Sequence, residues 1–232
     1  EGQQYSRIAE DISRALKFMQ ACGINSREET ATTDFCTSHE ALLLDYESAL
    51  TRRDGKNNRW YNLSAHMLWL GERTRQPDGA HVEFLRGIHN PIGIKVGPAM
   101  TADGLCRLLA ILNPANEPGR ITLITRLGAK KVAGTLPGLL RTAKREGLEV
   151  LWSCDPMHGN TSTTANGYKT RDFDSVVSEL RDFLQIHESE GTVAGGVHLE
   201  LTGENVTECT GGAEGINAED LAVNYRTACD PA

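Results

Sequence analysis

The sequence has no apolar run long enough to span a bilayer. Its longest runs, such as Leu108–Leu112, fall far short of the ~18–20 residues a membrane helix needs, and no signal-peptide pattern opens it. Positive charge is also scarce. Lys and Arg number 24 against 31 Asp and Glu, a net −7, so nonspecific binding to nucleic acid or an anionic membrane has no electrostatic drive. A small anionic substrate stays compatible with this balance, because a local basic pocket can exist inside an acidic protein. The six cysteines (Cys22, Cys36, Cys106, Cys154, Cys209, Cys229) form no CxxC pair, and reduced thiols are expected. There is no G-x-G-x-x-G after a first strand, no P-loop, no nucleophile elbow and no Ser-His-Asp order. Nor is there a repeat or a Pro/Ser linker.

What is present is alternation. Hydrophobic residues make up 39% and glycines number 23 among 232 residues, together inside the ~45–50% apolar share of globular chains. The length suits one domain over 1–232, and single barrels run to ~250 residues. A first helix is predicted over Tyr5–Ala21, with Ile8, Ile12, Ala15, Leu16 and Met19 at helical spacing and Gly23 as a stop. Six short apolar runs follow, near Asp34–Ser38, Ser64–Leu70, Gly93–Val96, Ile121–Thr125, Val150–Ser153 and Val197–Leu201. Helical stretches lie between them over Glu40–Arg52, Gly79–His89, Ala102–Leu112, Leu136–Arg145 and Phe173–His187. In the last, Phe173, Val176, Val177, Leu180 and Leu184 make one apolar stripe, with Glu179 off it. Strands alternating with helices imply βαβ units and a parallel sheet covered by helices. A doubly wound sheet and a (β/α) barrel both fit.

Charged residues favour the barrel. Glu72 and Arg73, Lys95, Arg126, Asp155 and His158, and Glu200 lie at or just past the carboxyl ends of successive predicted strands. A barrel would gather them on one face. Arg73, Lys95 and Arg126 then describe an anion site suited to phosphate or carboxylate oxygens, or else each pairs with a carboxylate of a neighbouring loop. His158, Glu200 and Asp230 are imidazole and carboxylate ligands of the kind that suits a divalent first-row metal, although His158 also reads as a hydrogen-bonded loop histidine. Cys154 could add a thiolate or simply pack as a small hydrophobe. His66, Trp69 and Trp152 lie on strands and are expected in the core or the barrel mouth. Glu40 either orients the pocket or starts a helix. Lys169, on a Gly/Asn/Thr-rich loop, is either a substrate contact or a solvated lysine.

The strings LWLGERTRQPDGAH, NPIGIKVGPAM, GRITLITRLGAKK, WSCDPMHGNT, GYKTR, GGVHLELTGENVTEC and ACDP resemble the class II (plant and actinobacterial type) 3-deoxy-D-arabino-heptulosonate 7-phosphate synthases. The resemblance runs from near Tyr5 to Pro231 and implies a (β/α)8 TIM barrel with only about strands three to eight in this chain. It implies condensation of phosphoenolpyruvate with erythrose 4-phosphate, the entry to the shikimate pathway. It also implies a divalent cofactor, Mn2+ before Co2+, Fe2+ or Zn2+, a cytoplasmic enzyme (plastid in a plant), and a homo-oligomer in the full-length protein.

By the same resemblance Arg73 and Arg126 take the phosphoenolpyruvate phosphate, with Glu72 beside them. Lys95 takes its carboxylate, Lys169 meets the aldose phosphate, and His158, Glu200 and Asp230 are metal ligands. Lys95, Lys169 and His158 are the implied catalytic residues. The family's fourth ligand, a cysteine, and a further carboxylate-binding arginine come from two barrel strands that nothing here matches. The chain is therefore expected to be a fragment that begins before strand three and lacks the N-terminal extension and the final helix. Thr192-Val193-Ala194 stands where His-Pro is usual. An inactive fragment or a non-catalytic binding module of the same fold is the alternative.

Overall fold

The computed structural model of the chain describes residues 35–201 and 206–226, together with Ser13, Arg14 and Lys17. It divides into two compact units, residues 1–36 and 37–232. In the first, Ser13, Arg14 and Lys17 are helical; the rest of the helix expected over Tyr5–Ala21 lies outside the described residues.

The second unit is a parallel half-barrel. Its six-stranded sheet runs in the order β1 (Ser38–Glu40), β4 (Met67–Leu70), β5 (Ile92–Val96), β6 (Ile121–Thr125), β7 (Val150–Cys154), β10 (Gly196–Val197), and every pairing is parallel. β4, β5, β6 and β7 fall on four of the six apolar runs of the sequence, whereas β1 and β10 share only Ser38 and Val197 with the runs expected there. The short helix α1 (Leu44–Ala49) leads into an antiparallel hairpin, β2 (Thr51–Arg53) with β3 (Trp60–Asn62). A separate small sheet joins β8 (Thr161–Thr163), β9 (Lys169–Asp172) and β11 (Cys209–Thr210), with β9 in the middle. Helices α2 (Ala80–Gly87), α3 (Ala102–Leu112), α4 (Val132–Arg145) and α5 (Phe173–Glu190) follow β4, β5, β6 and β9.

The core forms because each strand turns alternate residues to the helices. Leu68 and Leu70, Ile92, Ile94 and Val96, and Ile121 and Leu123 are fully buried there. They meet Leu105, Leu108, Leu109 and Leu112 of α3, whose spacing places them on one helical face. Thr101 starts that helix by accepting the Gly104 amide at 3.0 Å. The residues of β5 that alternate with its core positions, Gly93 and Lys95, face the inside of the half-barrel. A Cβ on Gly93 would stand 2.7 Å from the Cβ of Trp69, so the glycine makes room for the Trp69 ring on the neighbouring strand.

Two expected elements differ. The Glu40–Arg52 helix shrinks to α1 because His39 and Glu40 pair with Leu68 and Trp69 as strand, and the chain turns into the hairpin at Thr51. Helix α5 is rotated from its expected stripe. Phe173 and Leu184 are 46% and 49% exposed, whereas Glu179, Phe183 and His187, four residues apart, are buried.

His187 carries a pH prediction. Its ring lies 4.4 Å from that of Phe183 and 6.0 Å from that of Trp152. Nδ1 is 2.8 Å from Thr192 Oγ1, and Nε2 has no partner among the described residues. Burial pushes its pKa below the ordinary 6.5, so it folds neutral. A histidine depressed in the folded state gives stability that is complete above the unfolded value and lost as pH falls below it. Urea midpoints of the parent are expected to decline more steeply between pH 7 and 5 than those of His187→Leu; parallel curves would refute this.

Candidate active site

The carboxyl ends of β1, β4, β5, β6, β7 and β10 border one cavity of about 860 Å³ whose lining includes Glu40, Trp69, Glu72, Arg73, Lys95, Arg126, His158, His198 and Glu200. Parallel strands all end on the same side, so residues far apart in sequence converge there. Glu40 ends β1 and lies against Gly71, where a side chain would not fit. Of its two sequence readings, the structure realises the pocket.

Three cations face this cavity with different partners. Lys95, 7% exposed, donates to Asp155 Oδ2 at 2.5 Å, and its ammonium sits 5.4 Å from the centre of the Trp69 ring. Arg126 is paired through Nη1 with Glu72 and donates through Nη2 to the His158 carbonyl at 2.8 Å. Glu72 also lies 3.7 Å from Arg75. Arg73, just beyond β4, is exposed, and among the described residues its side chain makes no hydrogen bond or ion pair. Loop carboxylates therefore hold two of the three cations in place.

Asp155 organises the centre. It is fully buried and accepts from Lys95, from His158 Nδ1 at 2.7 Å, and from the amides of Met157 and His158 at 3.1 and 3.2 Å. Burial alone would raise its carboxyl, but the His158 hydrogen bond and the Lys95 charge outweigh it and hold the group well below the ordinary carboxylate range. The other ring nitrogen of His158, Nε2, lies 2.9 Å from Glu200 Oε1. Hydrogen bonds to Asp155 and then Glu200 raise the imidazole to about 9, so it is protonated at neutral pH. The second Glu200 oxygen is 2.7 Å from Arg171 Nη2, and Arg171, 3% exposed, also donates through Nε to the Met157 carbonyl at 2.8 Å.

The class-II DAHP synthetase family model matches residues 1–232 of this sequence. The chain belongs to that family. It is 52% identical over 230 residues to a phospho-2-dehydro-3-deoxyheptonate aldolase of Streptomyces coelicolor, covering 99% of this chain and 51% of that protein. It is 50% identical over 236 residues to the phospho-2-dehydro-3-deoxyheptonate aldolase AroG of Mycolicibacterium smegmatis, covering 99% of this chain and 50% of that protein. The chain thus spans about half the length of the curated relatives it matches.

In this class-II chain, Glu72, Arg73, Lys95, Arg126, His158 and Glu200 all border the single cavity. Lys169 does not. It opens β9, opposite Thr163 of an antiparallel hairpin rather than on a loop, and two residues before Arg171. Asp230 lies outside the described residues. Sequence reasoning left Asp155 as one strand-end charge among several and passed over Arg171. The signal for Arg171 was its two-residue spacing from Lys169, which puts both on one face of a strand. Of its two readings, Cys154 takes that of a small hydrophobe. It is fully buried in the core cluster, where burial pushes its thiol far upward, so it packs as a hydrophobe. Trp69 lines the cavity, Trp152 joins the core, and His66 takes neither place, bonding instead to Thr37.

The donor chemistry suits a divalent cation in part. His158 Nε2 and Glu200 Oε1 are adjacent, and Asp155 fixes the imidazole from behind as carboxylates do for metal-bound histidines. Among the described residues no group of three histidine, cysteine, aspartate or glutamate side chains gathers. Loading a cation there would require the Nε2 proton to leave.

Proposed function

We propose that the full-length protein condenses phosphoenolpyruvate with erythrose 4-phosphate and water to give the seven-carbon keto acid phosphate and inorganic phosphate. The observation that carries this reading is the convergence of Arg73, Lys95 and Arg126, from three successive strand ends, on the cavity that also holds the His158–Glu200 pair. The resemblance of the whole chain to aldolases of that name supports it.

Arg126 and Arg73 hold the phosphate of phosphoenolpyruvate, and Lys95 its carboxylate, because a trianionic substrate needs several fixed cations. Glu72 keeps the Arg126 fork aimed before substrate arrives, which lowers the ordering cost of binding. Asp155 does the same for Lys95. With both anionic ends fixed, C3 of phosphoenolpyruvate faces the aldehyde carbon of erythrose 4-phosphate; water then adds at C2 and phosphate leaves. The role of Lys169 at the second phosphate rests on the family resemblance alone, since this lysine stands outside that cavity. With Asp230 the further ligand that the family resemblance implies, His158, its imidazole oriented by Asp155, and Glu200 would hold a divalent cation, Mn2+ by preference. When bound it supplies Lewis-acid polarisation of the aldehyde oxygen.

A continuous assay of phosphoenolpyruvate loss in the full-length protein tests this. Consumption is expected only when erythrose 4-phosphate is present, is expected to disappear on prolonged chelation, and to return with manganese. No consumption overturns the reaction; activity undiminished by chelation overturns the cation.

A further inference from the structure

Glu179 lies midway along α5 and is fully buried. No cation pairs with it among the described residues, and burial raises its carboxyl. An apolar side chain could fill the same space between helix and sheet without that desolvation cost. What offsets the cost is a set of hydrogen bonds to two loops, both belonging to the site. Oε1 accepts from the amides of Leu127 and Gly128, each at 2.9 Å. Oε2 accepts from Asn160 Nδ2 at 2.7 Å. Asn160 in turn accepts from the Ala129 amide at 2.9 Å and donates to the Pro156 carbonyl at 2.8 Å.

The first loop follows Arg126 directly, and the second carries His158. Their backbones meet at Gly128 and Gly159. Gly128 has φ +83°, and a Cβ there would stand 2.6 Å from the Gly159 carbonyl oxygen, so the two backbones approach too closely for a side chain at the seam. Across the same seam Arg126 Nη2 reaches the His158 carbonyl.

We propose that Glu179 is a positioning residue that clamps the Arg126 loop to the His158 loop and so sets the distance between the anion-binding guanidinium and the imidazole. It touches no substrate; it acts through Leu127, Gly128 and Asn160. The inference rests on the reading of the cavity as a phosphoenolpyruvate site.

The test uses full-length protein and the variants Glu179→Gln, Asn160→Asp and both together. In Glu179→Gln one end of the amide must present N–H to another donor, either Asn160 Nδ2 or the Leu127 and Gly128 amides, inside a buried site. In the double variant the side-chain amide introduced at position 179 can donate to the carboxylate introduced at position 160, which also restores the buried charge, while the Pro156 carbonyl loses the donor it has in Asn160. Hydrogen exchange over residues 126–131 reports the clamp, and calorimetric titration with phosphoenolpyruvate reports its consequence.

For Glu179→Gln the exchange is expected to accelerate at least tenfold while β5 stays protected, and phosphoenolpyruvate to bind at least tenfold more weakly. The double variant is expected to recover part of both losses, the Glu179–Asn160 link being remade and the Pro156 contact not. Unchanged exchange, or faster exchange with unchanged affinity, overturns the proposal, the second leaving Glu179 a purely structural role. If Glu179→Gln fails to fold, Asn160→Ala breaks the clamp from its other end and is read by the same two criteria. A parent protein that binds no phosphoenolpyruvate overturns the functional reading, and the ligand assigned here with it; the exchange rates still decide whether Glu179 clamps the loops, so the two failures are told apart.

Discussion

Asp155→Ala is expected to cost the folded protein about 3–5 kcal/mol, the range for removing one partner of a buried ion pair. The carboxylate is fully buried and holds four donors at once: the Lys95 ammonium, the His158 ring, and the Met157 and His158 amides. Removing it leaves the Lys95 charge, 7% exposed, with only the face of Trp69 beside it among the described contacts, and leaves two loop amides unpaired. Asp155→Asn keeps an acceptor for those amides but not the charge, and is expected to fall between. Denaturant midpoints with unchanged slope check both; a loss under about 1 kcal/mol, the range of exposed pairs, would mean that Asp155 is not the keystone described.

Lys95→Met should act the other way round, on activity more than on folding. Methionine keeps an unbranched stem against Trp69 but removes the ammonium that reaches Asp155 from inside the half-barrel. Asp155 still has His158 and two amides, so the fold is expected to hold. Under the proposed reaction, loss of one fixed charge at the substrate carboxylate is expected to lower kcat/KM by about 10²–10³. Steady-state kinetics of the full-length protein, with phosphoenolpyruvate affinity measured alongside, decide this. A change under about threefold, small against that range, would make Lys95 a counter-ion of Asp155 and nothing more.

How much of this was legible beforehand varies by element. β4, β5, β6 and β7 stand where apolar runs announced them, because their helix-facing residues, such as Leu68, Ile94, Leu123 and Trp152, must be apolar to build the core. β10 was announced as Val197–Leu201 but keeps two residues, Gly196 and Val197, with one further backbone hydrogen bond from the His198 amide to the Cys154 carbonyl. The β2–β3 and β8–β9 hairpins were not legible. β8, Thr161-Ser162-Thr163, has no apolar residue, and the buried positions of the partner strands are polar: Asn62 in β3, Thr170 and Arg171 in β9. Helix α4 starts at Val132, earlier than expected, with Pro137 in its interior. A proline suggests a helix start, and only packing of Val132 and Leu136 on the sheet extends the helix before it.

The site was legible as a convergence and not as a network. That Arg73, Lys95, Arg126, His158 and Glu200 share a rim follows from where each stands relative to its strand. Which carboxylate each cation would choose does not. Glu179 was placed outside its helix stripe because charge alone suggests solvent, yet it is buried, since two loops offered it three donors.

By itself the sequence determined the α/β class, the succession of strands along the chain and the membership of a family, because these depend on local periodicity and on strings that survive as strings. Only the tertiary structure decided that Asp155 sits between Lys95 and His158, that Glu72 takes Arg126, and that Glu179 ties two loops. Hydrogen bonds between residues far apart in the chain are selected by distances of about 3 Å, and such distances exist only once the half-barrel has closed its strands side by side.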